Sequence, residues 1–312
     1  MKKVWLLIAA GIICVGTMAF AEDAKVLPAR VGRLTIAPAF AFANDVYDTD
    51  GKSQSLSGSG ALKAFNLGFA LEYGIIDWIT AAVQWAPGWN IWSDVELENP
   101  FTGKDLDATI NGVYDIFLGA KLQIVGENAP VKSSMFRAAV APGVIIPLPG
   151  VDVGEELIAG LQGKTFVAAN IDRHVFGFGA RGYFDYLISE LFYINLYTEY
   201  IAFPIENSDT KETYGWQLTF ELEPHFDINI VNGITLGAGI PVNFRMTPDT
   251  KFDGVKQDDD SYILAIKPNI SCFITTLPLP LELELGYSLP LAGKNERATN
   301  SLSLLVKLYL KI

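Results

Sequence analysis

The 312-residue chain has little of what soluble enzymes use for chemistry. It contains two cysteines, Cys14 and Cys272, and two histidines, His174 and His225. Neither histidine has a serine at a spacing that forces a catalytic dyad, and no phosphate-cradling glycine loop or zinc-ligand cluster occurs. A net charge of −12 argues against nucleic acid as a partner. The sequence therefore predicts no enzyme, no bound cofactor and no metal site.

Long hydrophobic runs are also missing after residue 21, although half of the composition is hydrophobic. No later segment offers the roughly 18 apolar residues of a membrane-spanning helix. Residues 1–21 read as a cleaved signal peptide, with Lys2 and Lys3 before the apolar run from Val4 to Val15 and a small-x-small cleavage site at Ala19-Phe20-Ala21. We therefore expect residues 22–312 to form a single exported domain.

A period of two runs through most of that domain. In the last strand the even positions from Leu302 to Ile312 are all apolar, whereas the odd positions include Ser301, Ser303, Lys307 and Lys311. Such alternation indicates strands with one apolar and one polar face. Twelve strands are expected, at residues 33–43, 62–73, 78–89, 113–125, 135–148, 174–186, 192–203, 215–228, 234–246, 261–274, 281–291 and 302–312. The fold class predicted is all-β, a transmembrane antiparallel up-and-down β-barrel of about 12 strands, within a range of about 10–14.

The connections between these strands alternate in length. Those at residues 44–60, 90–110, 149–172, 205–214, 248–260 and 293–299 are mostly long and polar, and the others are mostly short. Long outer loops and short periplasmic turns are typical of barrels in the outer membrane of bacteria. Residues 151–166 interrupt the strand pattern and form either a loop folded into the barrel mouth or a surface cap.

The inward face of the predicted barrel is charged. The candidate lumen-lining residues are Glu72, Asp115, Lys121, Arg137, Arg181, Asp185, Glu199, Glu221, Glu223, His225, Asp227, Arg245, Lys267, Glu282, Glu284, Lys307 and Lys311. One interpretation is a polar pore whose charges set selectivity. The other is a lumen stitched closed by ion pairs, and pairing of the last two strands predicts Glu282 near Lys311. Small inward residues, among them Gly177, Gly179, Gly237 and Gly239, are expected to leave space.

The turn Tyr73-Gly74-Ile75-Ile76-Asp77-Trp78 resembles turns of the FadL-like transporters of hydrophobic compounds. The last strand resembles the signal read by the barrel-assembly machinery, although it ends in Ile312 rather than an aromatic residue. This resemblance implies uptake of fatty acids or other apolar molecules. The chain departs from FadL proteins in strand number and in having only about a dozen residues between Ala21 and the first strand, too few for their N-terminal plug.

The sequence thus predicts an outer-membrane channel for passive passage of small solutes, hydrophobic ones included. Its partners would be membrane lipids and small-molecule solutes, and the pattern leaves the oligomeric state open. The alternative is a closed barrel that acts as a surface adhesin or a structural membrane protein. A barrel hydrolase using His225 or His174 is the third and weakest hypothesis.

Overall fold

The computed structural model describes residues 23–56, 62–98, 105–148, 175–208 and 211–311. The predicted signal peptide, the segment 151–166, His174 and Ile312 lie outside these ranges. Within them, no helix is long and apolar enough to cross a membrane.

The described chain is made of antiparallel strands. They are β1 (Val31–Ala43), β2 (Asp45–Tyr47), β3 (Ser53–Ser55), β4 (Leu62–Ile76), β5 (Ile79–Glu98), β6 (Asp105–Val113), β7 (Ile116–Val125), β8 (Phe136–Ile146), β9 (Gly177–Leu187), β10 (Phe192–Ala202), β11 (Glu212–Thr213), β12 (Gln217–Val231), β13 (Ile234–Gly239), β14 (Val242–Thr247), β15 (Lys251–Phe252), β16 (Val255–Lys256), β17 (Ser261–Ile266), β18 (Asn269–Ile274), β19 (Leu281–Lys294), β20 (Glu296–Arg297) and β21 (Asn300–Lys311).

Fifteen of these strands form one closed wall. The chain crosses the barrel twelve times in this wall, as predicted, and we call each crossing a pass. Each pairs with its neighbour in the chain, and β1 pairs with both β4 and β21, so the sheet closes on itself. The fourth pass is divided into β6 and β7, the ninth into β13 and β14, and the tenth into β17 and β18. Because β1 pairs with β21, no open edge remains between the first and the last pass.

The alternation of side chains explains why this sheet faces lipid. In β12, Phe220 and Leu222 are 43% and 49% exposed, whereas Glu221 and Glu223 between them are 3% and 5% exposed. A water-soluble sheet would bury the apolar residues and expose the carboxylates. The inverted pattern fits a barrel with an apolar outer band and a polar interior.

The ninth and tenth passes are divided because prolines interrupt the ladder. Pro241 follows the end of β13, and Pro268 lies between β17 and β18. Proline has no N–H to donate, so pairing on that side stops. Its carbonyl still accepts, and the Lys267 N–H donates to Pro241 O at 2.8 Å. The two interruptions are therefore adjacent in the wall.

Short turns lie at one end of the barrel, which we call the turn end. The predicted hairpin at Asn232-Gly233 connects β12 to β13, and Gly233 has a φ of 81°. A Cβ there would lie 2.5 Å from Thr276 Cγ2, so glycine meets both the conformational and the steric need.

The opposite end, the loop end, carries two small sheets outside the wall, one of β2, β3 and β20 and one of β11, β15 and β16. Asp48 accepts the N–H of Lys52 at 2.8 Å, which lowers the pKa of this carboxyl. The Lys256 ammonium lies 3.2 Å from Asp249 Oδ2 and lowers the pKa of Asp249. Local hydrogen bonds thus order the loops above the wall.

Candidate functional site

The inward charges of the wall form ion pairs between nearby strands. The pairs are Arg33–Glu72 at 2.6 Å, Arg137–Asp185 at 2.7 Å, Arg181–Glu199 at 2.6 Å, Lys267–Glu221 at 3.3 Å, Arg245–Glu296 at 3.0 Å and Lys307–Glu282 at 2.9 Å. Pairing of this kind offsets the cost of removing charged groups from bulk water.

The structure places most of the predicted lumen residues inside the wall. Those that are buried are Glu72, Lys121, Asp185, Glu199, Glu221, Glu223, Arg245 and Lys307. Those that are partly buried are Asp115, Arg137, Arg181, His225, Asp227, Lys267, Glu282 and Glu284. Asp115 lies in the break between β6 and β7, and Lys311 is exposed at the turn end of β21.

The predicted proximity of Glu282 to Lys311 is wrong. Glu282 is in register with Lys307, whose ammonium lies 2.9 Å from its carboxylate, and it also accepts the hydroxyl of Tyr309 at 2.6 Å. The shift is four residues along β21. It arises because Glu296 and Arg297 at the hairpin tip pair with β2, which extends β19 to Lys294.

One half of the lumen, inside β5 and β7–β10, is filled by aromatic and cationic side chains. The Arg181 guanidinium lies 3.9 Å from the centroid of the Phe117 ring, and Lys121 lies 3.9 Å from that of Tyr183. Arg181 also donates to Gln84 on β5, three strands away in the wall. These contacts cross the lumen rather than follow the wall, so their side chains occupy this half of the lumen.

Two of the small inward residues make room for rings instead of leaving a path. A Cβ at Gly177 would lie 2.7 Å from a carbon of the Phe203 ring, and one at Gly179 would lie 3.3 Å from Phe117. Phe117 and Phe203 form a buried apolar cluster with Ile145 toward the loop end. The expectation of free space is therefore wrong at Gly177 and Gly179.

Residues 23–30, which we call the inner strap, enter this packed half from the turn end. The Arg30 N–H donates to Gly74 O at 2.8 Å, and the Ala29 N–H donates to Asp77 Oδ1 at 3.0 Å. Further in, the Leu27 N–H donates to Thr80 Oγ1 at 2.9 Å. Each of these partners belongs to β4, β5 or the turn between them, so the strap runs up the inside of that hairpin.

The first residues of the strap reach the middle of the lumen. The Ala24 N–H lies 3.0 Å from both carboxylate oxygens of Asp185, and Gln123 donates to Ala24 O at 2.9 Å. Lys121 donates to the carbonyl of Asp23 at 2.5 Å. Ala24 is fully buried among residues that include Tyr197. A short chain thus fills part of the lumen, which the sequence argument against an N-terminal plug did not anticipate.

The opposite half of the lumen, inside β12–β21, is less tightly filled. The relative side-chain exposures of Asp227, Glu284 and Lys267 are 30%, 26% and 24%. Those of Asp185 and Glu199 in the packed half are 1% and 5%. The exposure is not uniform in this half, because Glu221 and Lys307 are only 2% and 9% exposed.

His225 lies at the boundary between the two halves. Its Nδ1 is 2.9 Å from Glu223 Oε1 and its Nε2 is 3.1 Å from Asp227 Oδ1. Its ring stacks on Tyr193 with centroids 4.8 Å apart. Carboxylates engage both ring nitrogens, so neither faces the hydroxyl that a hydrolytic dyad requires.

Sequence reasoning missed the inward aromatic residues Phe117, Tyr183 and Tyr193, whereas the alternation in residues 192–203 placed Tyr197 on the inward face. All four occupy the same inward positions of β7, β9 and β10 as the charged residues, so a strict two-residue period identifies each of them. The inner strap has no such signal, because side chains of distant strands bind its backbone.

No model of a known protein family matches this sequence, and no curated protein matches it. The fold is similar to the crystal structure of the COG4313 outer membrane channel from Pseudomonas putida F1, at 13% identity and a TM-score of 0.67, over 92% of this chain and 98% of that one. A FadL homologue from Pseudomonas aeruginosa matches at 10% identity and a TM-score of 0.40, over 96% and 99% of the two chains. The β domain of the Bordetella autotransporter Brka matches at 9% identity and a TM-score of 0.47, over 89% and 99%.

The first of these likenesses confirms the barrel fold. The other two have TM-scores below 0.5 and carry no argument. At such identities the likeness concerns the fold alone, and the solute is a separate question.

Proposed function

We propose that this protein is an outer-membrane channel through which small solutes pass by diffusion. The observation that carries the proposal is a closed wall with charged, partly exposed side chains inside β12–β21. The side chains of Asp227 and Glu284 are 30% and 26% exposed. Charged residues at such positions are tolerated when they face an aqueous path. Twelve strands also exceed the eight at which side chains fill a barrel.

The outer membrane is the proposed location, because the fold is that of bacterial outer-membrane barrels and the sequence begins with an export-type segment. The inner strap narrows the path from the turn end, so the proposed channel admits small molecules only.

Hydrophobic solutes are the second candidate class. Phe117, Ile145, Val175 and Phe203 form a buried apolar cluster on the inside of the wall toward the loop end. These side chains are almost completely buried, so an apolar solute that enters from the loop end contacts them only if the ring packing opens.

Conductance in a planar bilayer, measured with the refolded protein, tests the proposal. Uptake of a small apolar dye by liposomes is measured on the same preparation. Steady unitary currents support an aqueous channel, and uptake without current favours the hydrophobic class. The absence of both current and dye uptake would reject the channel and leave the adhesin or the structural barrel.

A further inference from the structure

Two neighbouring strands hold the His225 ring in one position. His225 of β12 is in register with Tyr193 of β10 and with Gly239 of β13. Its ring stacks on Tyr193 with centroids 4.8 Å apart and an interplanar angle of 22°. On β13, a Cβ added at Gly237 would lie 2.9 Å from His225 Nε2. The glycine therefore makes room for the ring.

Charged groups reach this ring from several elements. Glu223 and Asp227 flank it on β12 itself, and the Asn269 amide of β18 donates to Glu223 Oε1 at 3.1 Å. The other titratable groups that face this cluster are Tyr193 on β10, Arg137 on β8, Asp23 and Lys25 on the inner strap, and Glu284 on β19. The strands β13 and β18, which the structure describes throughout, have no titratable side chain on their inward faces.

The two contacts of the His225 ring require two protons. Nδ1 lies 2.9 Å from Glu223 Oε1, and Nε2 lies 3.1 Å from Asp227 Oδ1. An ionised carboxylate only accepts, and a neutral imidazole has one N–H and one lone pair. In a neutral ring, a nitrogen lone pair would therefore face a carboxylate oxygen. The imidazolium has an N–H on each nitrogen and satisfies both carboxylates.

Neither carboxylate is the proton donor in these contacts. Glu223 Oε1 already accepts the Asn269 N–H, so the same oxygen accepts from two sides. The Asp227 side chain is 30% exposed, and water stabilises its charged form. Both carboxylates thus act as acceptors, and the two hydrogen bonds of the ring are charge-assisted.

From this geometry we propose that His225 is a cation at neutral pH and that it holds Glu223, Asp227 and Tyr193 together as a clasp, which opens in alkaline solution. We call these four residues the histidine clasp. When the ring releases its proton to water, a lone pair faces one carboxylate and that contact becomes repulsive. The ring then loses the orientation that stacks it on Tyr193. The clasp is therefore closed at neutral pH and opens as the pH rises.

Tyr193 connects the histidine clasp to the inner strap. The Lys25 ammonium and the Arg137 guanidinium each lie 5.8 Å from the centroid of its ring. Arg137 also pairs with Asp185, whose carboxylate accepts the Ala24 N–H. Displacement of the Tyr193 ring removes contacts from the groups that hold the first residues of the strap. We therefore expect an open clasp to weaken the docking of the strap.

Nitrogen NMR of the histidine ring tests the charge. His174→Gln leaves His225 as the only histidine of the chain. In this protein, refolded in detergent at about pH 7.5, both ring nitrogens should give the nearly equal shifts of an imidazolium, whereas an unperturbed histidine is only about one-tenth protonated there. Asp227→Asn should produce the neutral ring, because an amide can donate to Nε2. The matched control is Asp253→Asn, at the exposed turn between β15 and β16, which should keep the imidazolium. A neutral ring in the His174→Gln protein would overturn the clasp.

Thiol labelling at a series of pH values tests the link to the strap. Leu27→Cys, at a position that is 6% exposed, reports on the strap in a Cys272→Ser background. Glu190→Cys, exposed in the short turn between β9 and β10, gives the reference rate in a separate protein. The ratio of the two rates cancels the effect of pH on the thiol itself.

This ratio should rise about tenfold through the pH range in which the NMR spectrum shows loss of the His225 proton, the effect of losing one hydrogen bond to a charged group. With His225→Gln the ratio should not depend on pH. A constant ratio in the protein that keeps His225, or an equal rise in His225→Gln, would refute the clasp as a pH-sensitive device. Neither measurement depends on conductance, so the clasp can be refuted without rejecting the proposed channel.

Discussion

Several hydrogen bonds hold the inner strap, and one of them is buried and can be removed almost without changing the shape of the side chain. Thr80 is 1% exposed, and its hydroxyl accepts the Leu27 N–H at 2.9 Å. Thr80→Val replaces the hydroxyl by a methyl group and leaves that N–H buried without a partner. The cost of an unsatisfied buried donor is about 1–3 kcal/mol, so we expect the docked strap to lose about 2 kcal/mol. A change of this size raises the ratio of released to docked strap about thirtyfold.

Thiol labelling of the strap measures this ratio. Leu27→Cys places a thiol at a position that is 6% exposed, and Cys272→Ser removes the other cysteine of residues 22–312. A water-soluble maleimide should react about thirtyfold faster in the Thr80→Val background, because only the released strap exposes the thiol.

The matched control is Thr235→Val, which removes an exposed hydroxyl of β13 that donates to Asn229 Oδ1 of β12 at 2.6 Å. It should leave the labelling rate unchanged. If Thr80→Val also leaves the rate unchanged, the bond from Leu27 does not hold the strap and the reasoning fails.

Three further predictions follow from contacts of the wall and loops. Lys307→Met should lower the free energy of unfolding by about 2 kcal/mol in a urea titration, because it removes the ammonium group that pairs with the Glu282 carboxylate. Lys311→Met should change it by less than about 0.5 kcal/mol. Equal effects of the two variants would contradict the observed register. Gly143→Ala should lower the free energy of unfolding by about 1–3 kcal/mol, since the added Cβ would overlap Phe117 and lie 2.7 Å from Leu118 O. Gly286→Ala should lower it by less in the same titration, because its Cβ meets only Ser303 Oγ, at 3.0 Å. Lys256 lowers the pKa of Asp249, so the stability that this carboxylate contributes is present above about pH 3.9 and is lost as the pH falls through the lowered pKa. Hydrogen exchange of β15 and β16 should accelerate only in that lower pH range. Asp249→Asn should remove this acid-dependent acceleration.

The wall itself was predictable from sequence because lipid and lumen impose opposite demands on alternate residues. The run from Phe220 to Asp227 is readable as strand β12 without any knowledge of its neighbours. The number of passes follows from counting such runs, and the hairpin at Asn232-Gly233 follows from local turn chemistry.

Register and interior contacts were not predictable in this way. The partner of Glu282 depends on how far β19 extends, and that extent is fixed by pairing of Glu296 with Tyr47, a residue remote in sequence. The periodicity of the sequence does not predict the position of the strap, since Asp185 and Gln123 bind its backbone rather than its side chains. Contacts of this kind join residues 99 or more positions apart, and no local pattern encodes them.

The sequence left two interpretations of the inward charges open, a selective pore and a lumen closed by ion pairs. The described side chains of the two halves of the barrel differ in their contacts. In the packed half, Arg137 and Arg181 pair with Asp185 and Glu199, and the strap and the tyrosines take up the remaining space. In the other half, the pairs made by Lys267 and Lys307 leave Glu284 partly exposed to water. Removing the strap should therefore expose inward side chains of the packed half, such as Asp185 and Gln123, that it now covers.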